Sequence, residues 1–223
     1  MNLPMRRCCI QQFEKFLHLL NEAVPSIGKE FMRFEAVGLM DGFMERTYAY
    51  ELYHQLRRFQ GKYKYNEFTI HAEPTKQRTE FFRSILERIA NERGQYGNAD
   101  DYEFQKSVMP DLLVHVPNDI NANIAIVEIK PEKGGPDAVG IRKDVRVLKE
   151  FIKGGDSVKG YYRGILLLYS TEKGHRDTEI IKERYSPIIK DTIGSPSWRN
   201  YAESIILVWH PGPASKPVPI NWT

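Results

Sequence analysis

The 223-residue chain reads as a mixed α/β domain, a central β-sheet flanked by helices, and three observations predict it. Short β-branched runs alternate with longer segments whose apolar residues recur at three- and four-residue spacing. Two of the runs, Met109–Val116 and Ile124–Pro131, are separated only by the turn-rich Pro117-Asn118-Asp119-Ile120-Asn121, which makes a hairpin-like pair. A helical segment then carries the chain to a fully apolar run, the pattern of a crossover connection.

In order, Ile10, Phe13, Leu17, Leu20 and Val24 lie at helical spacing and Pro25 stops that helix, with a further helical turn expected over Lys29–Phe34. Phe43–Gln60 is a stronger helix, with Tyr48, Leu52, Leu56 and Phe59 on one stripe and Gly61 as its stop. Asn66–Glu73 alternates as a strand ended by Pro74, and Thr79–Arg93 is helical, stopped by Gly94. After a loop around Gly97–Asp101 come the paired strands. Lys133-Gly134-Gly135-Pro136 breaks the chain, and Asp137 caps a helix to Lys153 that buries Ile141, Val145, Leu148 and Ile152. Tyr162–Tyr169 is an apolar strand, Asp177–Ile189 a helix and Ser204–Trp209 a last strand. The tail, 210–223, holds four prolines and is expected to be extended or poorly ordered. One domain over 1–223, its core at about 43–170, is the organisation this order implies.

Composition sets limits on function. A net charge of +3 is compatible with a polyanionic partner without requiring one. Cys8 and Cys9 adjoin each other and form neither a disulfide framework nor a Cys-x-x-Cys site, and no base partners them in the sequence. No run is long enough to span a bilayer and the first residues lack a signal peptide's apolar stretch, so a cytoplasmic protein without membrane contact is expected. There is no Gly-rich phosphate loop, no His-x-Glu deaminase pattern and no Gly-x-Ser-x-Gly elbow.

The chemistry is concentrated in the hairpin. Asp111 opens its first strand, and Glu128 and Lys130 interrupt the apolar second strand. Side chains alternate along a strand, so Glu128 and Lys130 share a face about 6.6 Å apart. Two carboxylates and one ammonium on strands apolar enough to be buried are costly unless their charges are compensated, and a divalent cation would do that. Hard oxygen ligands suit Mg²⁺, with Mn²⁺ as a substitute.

Pro110-Asp111, sixteen residues, then Glu128-Ile129-Lys130 resembles the motif of the PD-(D/E)XK nuclease superfamily, over roughly Phe43–Tyr169. The resemblance implies a restriction endonuclease-like αβββαβ core with additional helices, and a Mg²⁺-dependent deoxyribonuclease, most often an endonuclease. It implies metal ligation by Asp111, Glu128 and the carbonyl of Ile129, with Lys130 positioning the attacking water or stabilising transition-state charge. Family members often place a glutamate on the helix before the sheet, which nominates Glu51. That residue lies at the edge of its stripe, about 95° from the centre, where a cleft-facing and a solvated side chain would both sit.

On neighbouring turns, His54, Gln55 and Arg58 are candidates for contact with water or phosphate, as are Lys133 and Lys143 beyond the second strand. His115 reads more simply as a half-buried sheet histidine, Glu73 as a solvated strand end, and Asp144 as part of a solvated helix face. A homodimer or partner protein fits the family. The competing function is a silent nuclease-fold module that binds nucleic acid or a partner protein; a third reading is a structural domain whose Glu128–Lys130 pair is a salt bridge.

Overall fold

The structure, a computed structural model, describes residues 3–32, 42–72, 84–85, 87–88, 110–119, 121–135, 137–155, 158–171, 177–194 and 198–223, without the side chains of 3–8 and 42–44. The helices are α1 (Leu3–Ala23), α2 (Lys29–Met32), α3 (Gly42–Tyr63), α4 (Ala138–Lys153), α5 (Thr178–Ile193) and α6 (Trp198–Tyr201). The strands are β1 (Thr69–Ala72), β2 (Leu112–His115), β3 (Asn123–Glu132), β4 (Arg163–Ser170), β5 (Ile205–His210) and β6 (Val218–Ile220).

All six strands form one mixed sheet in sequence order. The hairpin is present: β2 pairs antiparallel with β3, Leu112 facing Val127 and Val114 facing Ala125, and β1 pairs antiparallel with β2. Asn118 makes the turn at a φ of 61°, and the Asp119 carboxylate accepts from Asn121 N–H at 2.9 Å. The crossover through α4 sets β4 parallel to β3, and α5 sets β5 parallel to β4. Helices cover both faces. Residues 125, 127 and 129 of β3 and 165, 167 and 169 of β4 pack with α1 and α3, whereas Ile126, Leu166 and Leu168 pack with α4 and α5. Burial on both faces explains why β4 reads as a continuous apolar run rather than an alternating one.

Local signals set most boundaries. Asp137 caps α4 by accepting from Gly140 N–H at 2.9 Å, and Gly154 ends it at a φ of 80°, a conformation that favours glycine. Gly61 does not end α3, which runs on to Tyr63 before Lys64 turns the chain at a φ of 56°. The expectation for the tail is corrected. Val218–Ile220 pairs antiparallel with β5 as an edge strand, and Trp222 is buried with its indole N–H donating to the Ile205 carbonyl at 2.8 Å. An edge strand tolerates Pro219 because one side of it needs no ladder donor.

Of the expected Thr79–Arg93 helix, Ser84, Ile85, Glu87 and Arg88 are described and helical; the 97–101 loop, Glu73, Met109 and the Cys8 side chain lie outside the described residues. Cys9 is buried. No described helix is long and apolar enough to cross a membrane.

Candidate metal and acid–base site

Asp111 immediately precedes β2 and lies where the antiparallel register continues to Glu128, so the two carboxyls belong to the same sheet face. Asp111 is tied to the second strand directly: its Oδ2 accepts from the main-chain N–H of Ile129 at 2.6 Å. Glu128 is 5% exposed in the middle of an otherwise apolar strand.

Lys130, two residues on, is held by two helices from opposite layers. Its Nζ donates to both oxygens of Glu45 on α3, at 2.9 and 2.8 Å, and lies 3.5 Å from Oδ2 of Asp144 on α4. Asp144 is 3% exposed, which corrects its reading as a solvated helix residue. It falls on the buried stripe of α4 with Ile141, Leu148 and Phe151, and its Oδ2, although close to the ammonium, has no hydrogen-bond partner.

Four carboxyl groups and one ammonium therefore share a region shielded from water, and their acidities respond. Burial pushes Asp111 up to about 8, with the charges of Glu45 and Asp144 adding to it and the Ile129 N–H opposing it. Burial likewise raises Asp144 to about 7 against the pull of Lys130, and raises Glu128 well above the usual carboxylate range, helped by Asp144 and Asp111. Burial works against the Lys130 ammonium, but Asp144 and Glu45 outweigh it, so Lys130 stays charged. One positive charge does not satisfy four acids, and the interior keeps some of them protonated instead.

The donor set, all hard carboxylate oxygens with a deficit of positive charge, fits a divalent cation. As they stand, no three His, Cys, Asp or Glu side chains among the described residues are close enough together to hold one. Binding would therefore require the carboxyls to draw in.

The structure does not bring Glu51 to this group. Its carboxylate accepts from Gln55 at 2.5 Å and pairs with His54 at 3.4 Å, both on its own helix, about 9 Å along the axis from Glu45. The helix residue at the site is Glu45. A sequence signal for it exists, because Glu45 extends the stripe of Tyr48, Leu52, Leu56 and Phe59 by a further three residues.

Among the proposed nucleic-acid contacts, Gln55 is buried whereas His54, Arg58, Lys133 and Lys143 are exposed. Arg58 lies over the Phe59 ring at 4.8 Å, and the charge of Lys143 bears on Asp144. His115 stacks on His71 at 4.9 Å and its Nδ1 approaches the Val116 carbonyl, the arrangement of a sheet histidine.

Compared with known proteins, the chain matches no family model, no curated protein and no solved structure.

Proposed function

We propose that the protein is a Mg²⁺-dependent nuclease that hydrolyses phosphodiester bonds of DNA, acting as an endonuclease at the Asp111–Glu128–Lys130 site. The observation that carries this reading is the juxtaposition itself: across one antiparallel pair, Asp111 meets Glu128, and Lys130 follows on the same face. The resemblance to the PD-(D/E)XK superfamily rests on those three residues and on the strand–helix order around them, and with that resemblance comes the proposal of Mg²⁺, for which Mn²⁺ would substitute.

Asp111 and Glu128 would hold the cation, with Glu45 as the helix carboxylate in place of Glu51 and the Ile129 carbonyl as a further ligand. The bound ion supplies charge neutralisation at the scissile phosphate and a more acidic water. The chain supplies the rest. The Ile129 N–H fixes one Asp111 oxygen and leaves the other available. Lys130 provides a permanent positive charge where negative charge grows on the phosphate, and Glu45 and Asp144 fix where that ammonium sits. Exposed Arg58, Lys133 and Lys143 would meet backbone phosphates and position the duplex without reading its sequence.

The silent-module reading has one observation on its side, that the acids are not gathered tightly enough to chelate as they stand. Incubation of the purified chain with plasmid, linear duplex and single-stranded DNA, with Mg²⁺ and again with EDTA, separates the two. Cleavage that requires the cation supports the nuclease; cation binding with no product on any substrate favours the module.

A further inference from the structure

Beside the acid site is a second polar feature that the three motif residues do not explain. Tyr169 on β4 is in register with Pro131, between Lys130 and Glu132 of β3, and with His210 of β5. Its ring lies flat on that of Tyr48 from α3, the centroids 3.9 Å apart and the planes 5° from parallel. The Tyr48 hydroxyl is hydrogen-bonded to Nδ1 of His210 at 2.9 Å. The Tyr169 hydroxyl is fully buried and has no hydrogen-bond partner.

Leaving a buried hydroxyl unsatisfied costs on the order of 1–3 kcal/mol, and phenylalanine would fill nearly the same volume without that cost. The surroundings of the oxygen are not apolar. Burial and the charges of Glu45 and Asp111 all push the phenol's acidity constant far up, so the hydroxyl keeps its proton and faces acceptors. Complete burial keeps out anything larger than a water molecule. Buried waters occupy positions of this kind, typically with about three hydrogen bonds to groups that would otherwise lack partners.

We infer that Tyr169 completes a water-binding site inside the acid cluster, its hydroxyl donating to a water whose own protons are directed at the carboxylates of Glu45 and Asp111. The stack on Tyr48, itself held by His210, fixes the phenol's direction. A water given a proton from one side and giving its protons to the other has its orientation set before any substrate arrives, and such pre-orientation lowers the cost of an attack. Under the hydrolytic reading, on which this consequence rests, Tyr169 is a positioning residue for the attacking water or for the water that replaces it in each cycle.

The test is a high-resolution crystal structure of the full chain and of Tyr169→Phe, with steady-state kinetics of Mg²⁺-dependent DNA cleavage on both. The expected results are an ordered water about 2.8 Å from the Tyr169 oxygen in the wild type and none in the variant. With these comes a kcat reduced roughly 10- to 100-fold at a KM changed less than about twofold. A wild-type structure with no water at that oxygen overturns the inference, and so does a folded variant whose kcat matches the wild type. If the variant does not fold, the wild-type water alone decides. A wild-type chain that cuts no DNA sinks the nuclease reading, while the water at Tyr169 still upholds or overturns the site.

Discussion

The main-chain N–H of Ile129 donates to Oδ2 of Asp111 at 2.6 Å, which ties the residue before β2 to the strand that carries Glu128 and Lys130. Hydrogen bonds to a carboxylate favour its charged form, yet burial prevails and Asp111 is raised to about 8. The site thus combines fixed geometry with acids that resist ionising until a cation arrives.

Stability of the metal-free chain should therefore fall as pH rises. Asp111 and Asp144, raised to about 8 and about 7, bind protons in the folded state that they release in the unfolded state above about pH 4. Between about pH 4 and pH 8 the folded state holds more protons, so the unfolding free energy declines with pH by up to about 1.4 kcal/mol per unit for each extra proton. Thermal melts in EDTA from pH 5 to 8.5 should show a falling midpoint, and millimolar Mg²⁺ at pH 8 should reverse part of the fall. A flat profile in EDTA would count against buried acids of raised pKa.

Glu45 and Glu51 make a direct comparison. Glu45→Gln should lower Mg²⁺-dependent cleavage by roughly 100-fold, because it removes a carboxylate bonded to Lys130 beside the proposed cation position. Glu51→Gln changes only contacts with His54 and Gln55 and should leave the rate within about threefold. Initial rates on supercoiled plasmid measure both, and the reverse ranking would restore Glu51 as the helix ligand.

Lys130→Met should destabilise the metal-free chain by about 3–5 kcal/mol at pH 8, since it leaves buried acids without their counter-charge. The loss should shrink at pH 5, where Asp144 and Asp111 are neutral. Urea unfolding at the two pH values reads the difference directly, and equal losses at both would place the lysine's contribution in packing rather than charge.

Trp222→Ala should cost about 3–5 kcal/mol, because it empties a buried site against β5 and abandons the Ile205 carbonyl. Denaturant midpoints measure it. A change below about 1 kcal/mol would mean that the tail is not part of the fold's core.

The hairpin was legible because its signals are local: β-branched runs, a turn of Pro, Asn and Asp, and charges out of place at Glu128 and Lys130. The α4 boundaries were legible for the same reason, with a capping Asp137 and a closing Gly154. What escaped depends on tertiary placement. Glu45 and Asp144 each continue an apolar stripe at helical spacing, but only the packing of α3 and α4 around β3 shows both converging on Lys130. The last strand was hidden by composition. Val218-Pro219-Ile220 reads as a proline-broken tail until β5 offers an open edge to pair with. Glu51 drew attention because it flanks the stripe, and its partners lie on its own helix.

The central claim is that Asp111 belongs to a working metal-dependent site rather than to a structural ion cluster. The rate of supercoiled plasmid nicking in Mg²⁺ by the wild type and by Asp111→Asn, each first checked for a cooperative melt, tests it most directly. Asparagine still offers an oxygen to the Ile129 N–H, so the hairpin should persist and the melting midpoint at pH 8 should hold or rise. The account predicts cation-dependent nicking by the wild type and a loss of roughly 100-fold or more in the variant. A wild type that leaves plasmid intact, or an Asp111→Asn chain that nicks as fast, would contradict it.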